Sequence, residues 1–257
     1  MDIVFVGAGR LATNLASALK QKGHRIVAVW SRTIGSAQTL ATMVEAEATN
    51  ELECLPRQAD AFVVAIKDAA LAEVIPQLCK GREDQVFLHT AGSMPLSLFA
   101  GQTRHGGVLY PMQTFSKERL VDFSCVPFFI EGADEKALSV ARQLAESVSS
   151  EVRELSSADR KHLHLAAVFA CNFANHCYAL SAKVLEHHGI PFEVMLPLID
   201  ETARKVHTMH PLEAQTGPAI RYDQNVIEAQ KALLSDDASA QEIYDMMSKS
   251  IHRLAND

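Results

Sequence analysis

The chain has 257 residues, 48% hydrophobic and 21% charged, and a formal net charge of -7. This composition excludes disordered, fibrous and membrane-embedded classes, and the length suffices for one or two domains with a substantial core. An acidic balance with no cluster of Lys and Arg argues against nucleic acid as a partner. No apolar run approaches a membrane span and no signal-peptide pattern precedes the first apolar run, so a cytoplasmic protein with no membrane partner is expected. The five cysteines (Cys54, Cys79, Cys125, Cys171, Cys177) include no C-x-x-C pair. Free thiols, buried as small hydrophobes, are therefore expected.

Ten of the twelve glycines fall within residues 1–132, so the front of the chain needs many turns and the back does not. Short apolar runs at 2–6, 25–30, 60–66, 84–89, 106–110 and 126–130 alternate with helical periodicity at 9–22, 68–80 and 134–148. This alternation predicts a parallel sheet with crossover helices. Residues 111–125 read as a loop. Between Ser156 and His188 there is neither Gly nor Pro, and Ser156 followed by Asp159 is a helix-start signal. One long, mostly buried helix ending at Gly189 is predicted, with further helices near 192–209, 223–235 and 238–255. The organisation expected is an α/β domain over 1–155 and an all-α domain over 156–257.

Gly7-Ala8-Gly9-Arg10-Leu11-Ala12 is a G-x-G-x-x-A fingerprint placed after a strand and opening a helix. Gly7 permits the tight turn, Gly9 lets backbone approach a pyrophosphate, and Ala12 lets the helix pack on the sheet. After the second strand, Ser31-Arg32-Thr33 stands where an NAD-binding chain would place a carboxylate. Hydroxyl and guanidinium donors there suit a 2′-phosphate, so NADP(H) is the expected cofactor. Ile66, Lys67, His89 and Ala91 lie at the ends of the next two strands, where ligands collect in such sheets, and complete the expected cofactor set. On the long helix, Lys161, His164, Val168, Asn172 and Asn175 share one stripe at about 100° per residue. A polar stripe on a buried helix must meet partners or a ligand. No His, Cys or carboxylate cluster has metal-ligand spacing, so no metal is expected.

These motifs, with Tyr110-Pro111-Met112-Gln113-Thr114-Phe115-Ser116 and Thr216-Gly217-Pro218 ahead of Arg221 and Asp223, resemble a bacterial family that joins a Rossmann-like domain to the domain of unknown function DUF2520. That family is grouped with NADP oxidoreductases. It is similar in architecture to pyrroline-5-carboxylate reductase, F420-dependent NADP oxidoreductase and the 6-phosphogluconate dehydrogenase superfamily. The resemblance implies a helical C-terminal domain that closes the substrate cleft and dimerises. The Gly-x-x-x-Lys-x-x-x-Asn pattern of β-hydroxyacid dehydrogenases is absent.

The resulting expectation is an NADP(H)-dependent oxidoreductase that transfers hydride to or from a small metabolite. His164 is the proton donor or acceptor, because an imidazole ordinarily titrates near neutral pH. Asn172 would hold the substrate, and Lys161 is the second candidate for the proton. Gln113, Asn175, Thr216 and Arg221 are the candidate substrate contacts, and a homodimer through the helical domain is expected. The alternatives are a sensor that binds NADP(H) or a metabolite without turnover, and an imine reductase resembling pyrroline-5-carboxylate reductase.

Overall fold

The computed structural model describes residues 1–256. The described chain folds as two compact units, Met1–Asn172 and the remainder from Phe173. The first carries strands β1 (Asp2–Val6), β2 (Arg25–Trp30), β3 (Glu47–Thr49), β4 (Ala61–Val64), β5 (Val86–His89), β6 (His105–Pro111), β7 (Phe128–Gly132) and β8 (Val152–Glu154). Its helices are α1 (Arg10–Gln21), α2 (Ile34–Val44), α3 (Asp68–Cys79), α4 (Glu135–Val148) and α5 (Ser157–Ala167). The strands form one sheet in the order β3-β2-β1-β4-β5-β6-β7-β8. From β1 the chain moves outward to β2 and β3, then returns to place β4 on the other side of β1. Ligands bind at such a reversal, outside the carboxyl ends of the strands.

Burial on both faces explains why the strands read as continuous apolar runs. Along β1, Ile3 and Phe5 enter one core with α1, α2 and α4, while Val4 and Val6 enter the other with α3. The period-two alternation of a strand thus feeds two cores at once.

The sheet is parallel except at β6 and β7, which pair antiparallel with Leu109 opposite Ile130. The connection between them, read as a loop over 111–125, contains no helix. A parallel return needs a crossover element, so the strand comes back antiparallel.

The helical run after Ser156 departs from expectation in two ways. Ser156 does cap α5, accepting from the Asp159 N–H, but the run is not one α-helix. A π-helical turn, Val168–Phe173, separates α5 from α6 (Ala174–Glu186), and α6 stops short of Gly189, whose φ is +65°. Nor is the run buried: Leu165 is 55% and Phe169 63% exposed. The remaining helices of the second unit are α7 (Leu196–Lys205), α8 (Gln224–Ala232) and α9 (Ala238–Asn256). All five cysteines are free, but only Cys79 is buried, its thiol pushed up to about 12 by that burial. Cys54, Cys125 and Cys171 are exposed, against the expectation of buried thiols, because they lie on a surface turn, a loop and the open π turn.

What anchors α5 to the sheet is a buried ion pair. Arg160 has no exposed surface, and its Nη1 donates to Glu131 at 2.6 Å while Nη2 donates to the Met94 carbonyl at 2.7 Å. Glu131 also accepts from the backbone N–H and hydroxyl of Ser157. Beside this network Leu163 packs on Val108, Tyr110 and Phe129. Burial pushes the Glu131 carboxyl up, but the bonds from Ser157 and Arg160 outweigh it and hold the group below its ordinary 4.5. With the folded value depressed, the stabilisation is complete above the unfolded value and is lost as pH falls through the folded one. Removing one partner of such a pair leaves the other charge uncompensated. Arg160→Met is therefore expected to cost about 3 kcal/mol in urea unfolding at pH 7, with a smaller deficit in acid, once the pH has fallen far enough to protonate Glu131 in the wild type.

Candidate functional site

A groove of about 510 Å³ opens at the reversal between β1 and β4. Gly7, Ala8 and Gly9 form one wall after β1, Trp30, Ser31 and Arg32 another after β2, and Ala65, Ile66 and Lys67 the third after β4. Gly7 has φ +117°, and a Cβ there would overlap the Ala65 carbonyl, so only glycine fits. Around Gly9 there is open space, and Gly9 caps α1 without any side chain occupying the first-turn N–H groups. Free N–H donors and the positive helix end make this an anion site. The buried indole Nε1 of Trp30 lacks a protein partner although Trp30 lines the groove. A cradle closed to side chains, free backbone donors and an orphaned indole N–H fit a dinucleotide with its phosphates on α1.

Six expected cofactor residues, Gly7, Gly9, Ser31, Arg32, Ile66 and Lys67, line this groove. Arg10 and Leu11 occupy the first turn of α1, Ala12 is buried under it, and Thr33 is the residue before α2. His89 departs from its expected role: its side chain is wholly buried, stacked on Phe99 and accepting the Ala91 N–H at Nδ1. Burial and the nearby Arg160 push it down to about 4, so it is a neutral core group. Ala91 is buried beside it. The expectation missed Trp30, Ser36, Glu73, Gln77 and Lys117. Ala70, Glu73, Val74 and Gln77 recur at helical spacing after Lys67, a signal that a projection of α3 would have caught.

Next to the groove along the sheet edge, the loop after β5 and the end of β6 meet α5. The Tyr110 hydroxyl lies 3.2 Å from His164 Nδ1, with the rings edge-on at 6.1 Å. Gly92 lies so close that a Cβ would come within 2.6 Å of the same nitrogen. Burial pushes the Tyr110 hydroxyl up, keeping it a proton-bearing donor. Ser93, the next residue, donates to the Asp68 carboxylate, so Asp68 holds this loop and Lys67 is the residue that precedes α3.

The single stripe does not survive. A π turn closes i→i+5 bonds, so the 100° projection fails beyond Val168. Lys161 and His164 stay on α5, Asn172 sits in the π turn, and Asn175 is the second residue of α6. Lys161 and Asn172 are exposed, and His164 is half-buried. Gln113 is on the loop after β6, its side chain accepting from the Thr114 N–H. In the second unit Thr216 lines an apolar cleft of about 380 Å³ with Leu180 and Met247. Arg221 is exposed, and Asp223 caps α8 by accepting from the Val226 N–H. Among the described residues no three His, Cys, Asp or Glu side chains form a metal-binding group, and no helix is long and apolar enough to cross a membrane.

Residues 2–91 match the family described as NADP oxidoreductase, coenzyme F420-dependent, and residues 126–251 match the domain of unknown function DUF2520. No curated protein matches. A Bacteroides fragilis structure assigned as an NADP oxidoreductase is 52% identical over 98% of both chains, with a TM-score of 0.94. A Thermotoga maritima protein is 25% identical over 99% of this chain and all of its own, with a TM-score of 0.82. An imine reductase from Myxococcus stipitatus in complex with NADP+ shares the fold at 16% identity and a TM-score of 0.69, covering 100% of this chain and 94% of its own.

Proposed function

The chain belongs to the NADP oxidoreductase family and carries a DUF2520 domain, and from that premise we propose that it transfers hydride between NADP(H) and a small carbonyl or imine metabolite, with His164 handling the proton. When bound, NADPH supplies the hydride, and the protein supplies orientation and a proton. The observation that carries this reading is the Tyr110–His164 pair beneath Gly92 at the carboxyl edge of the sheet.

Residues 1–155 are assigned to the cofactor and residues 156–257 to substrate recognition and dimerisation. As an imidazolium, His164 donates Nδ1–H to the Tyr110 oxygen and presents Nε2–H to the substrate. Nε2 gives its proton to the substrate heteroatom during reduction, at hydrogen-bond distance, and a neutral imidazole remains. Asn172 steadies the substrate, Lys161 is the second proton candidate, and Gln113 is a polar contact on the same unit; Asn175, Thr216 and Arg221 are the recognition candidates carried by the second unit. Free thiols support a reducing compartment, the cytoplasm. The fold shared with an imine reductase supports including cyclic imines such as pyrroline-5-carboxylate among the substrates assayed.

Three outcomes are expected. Arg32 and Ser31 offer donors to a 2′-phosphate, so calorimetry should find NADPH bound more tightly than NADH, and Arg32→Ala should cut that preference about tenfold. Equal affinities in the wild type would contradict it. Leu198, Leu233 and Met246, 63%, 85% and 70% exposed, support a partner copy on the helical unit; light scattering at micromolar concentration should give a dimer mass. His164→Asn should keep NADPH affinity and lower turnover by roughly 10²-fold, whereas full activity in a folded variant would remove His164 from the mechanism.

A further inference from the structure

Lys117 lines the groove, yet it comes from the loop between β6 and β7, which belongs to none of the strand ends that build the groove's walls. A surface lysine on a long loop ordinarily loses side-chain and backbone entropy when fixed against a ligand. Here the backbone is fixed beforehand by Asn14, in the second turn of α1 and 2% exposed. The Asn14 amide nitrogen donates to the Ser116 carbonyl at 2.7 Å and to the Arg10 carbonyl at 2.9 Å, while its oxygen accepts the Val121 N–H at 2.8 Å. One buried side chain thus ties both ends of the segment 116–121 to the helix that presents the anion-binding end. The residue after Ser116 is Lys117, so it enters the groove from the α1 side, whereas Arg32 and Ser36 enter from the β2 side. The charged groups facing the groove are Arg32, Lys67, Lys117 and one carboxylate, Glu73.

We propose that Lys117 is a second phosphate ligand of the cofactor, directed at the pyrophosphate common to NADPH and NADH, and that Asn14 is the positioning residue that holds it there. The proposal rests on the groove being the NADP(H) site. Arg32 sorts the two cofactors by the 2′-phosphate; Lys117 holds both alike, as a charge-assisted contact discounted for its exposure.

The test is calorimetry of NADPH and NADH against purified variants, which needs no substrate. Lys117→Ala should raise Kd for both cofactors by the same factor, roughly fivefold, and Lys117→Arg should restore most of it. Asn14→Ala should raise both Kd values similarly while Lys117 is intact, and add nothing in the Lys117→Ala background, since coupled residues are non-additive. Asn14→Ser serves if the alanine variant fails to fold, with melting temperatures recorded throughout. Unchanged affinities in Lys117→Ala, alongside a lost NADPH preference in Arg32→Ala, would overturn the Lys117 assignment and leave the groove reading intact. Unchanged NADPH affinity in both variants would overturn both. A loss confined to NADPH would move Lys117 to the 2′-phosphate and overturn the pyrophosphate assignment. Additive effects of the Asn14 and Lys117 changes would overturn the positioning role.

Discussion

A guanidinium with no surface exposed to water is stable only if the fold answers its charge, and Arg160 is answered by Glu131. Everything at the proposed chemical centre depends on this answer. The pair joins α5 to β7, and through the Met94 carbonyl and Ser157 it also ties in the loop that follows β5. His164 stands one helical turn beyond Arg160, so its ring inherits its position from a bond it does not make. Gly92 and Tyr110 then leave that ring little space, one by lacking a side chain and the other by occupying Nδ1. Such layering is how a helix that exposes most of its apolar side chains can still carry an ordered group: its N-terminal turns are pinned where the chemistry needs them.

Much of this was legible in the residues. The fingerprint at 7–12, the absence of a carboxylate after β2 and the alternation of strands with helices gave the sheet, the groove and the cofactor class, because each reflects a local constraint of backbone or charge. The π turn was not legible, since it needs no glycine, proline or change of composition; Val168–Phe173 reads like the helix on either side. His89 was misplaced for a related reason. A histidine at a strand end looks available, and only the packing of Phe99 and the bond from Ala91 reveal it as core. Tyr110 and Lys117 were overlooked as site residues because their roles arise from a long loop and a strand pairing, contacts far apart in sequence.

Family membership and geometry bear on different links of the argument. Membership agrees with the cofactor class that the groove's own residues point to. Geometry groups the lining residues by origin: Ser31 and Arg32 follow β2, while Gly9 and Lys117 come from α1 and the loop it tethers, and on the proposed roles only the first set tells one dinucleotide from another. A protein can then alter cofactor choice without altering the grip, by changing residues near Arg32 alone.

The buried charges also make the sheet edge electrostatically silent. His89, held down to about 4, is neutral, the Tyr110 hydroxyl is held up and stays protonated, and Glu131 is held down and stays ionised. Across roughly pH 5 to 9 these three groups keep one protonation state. An inflection in a rate profile within that interval therefore originates in a group other than these three. The three act as a fixed reference against which the ionisation of a still unidentified substrate becomes measurable.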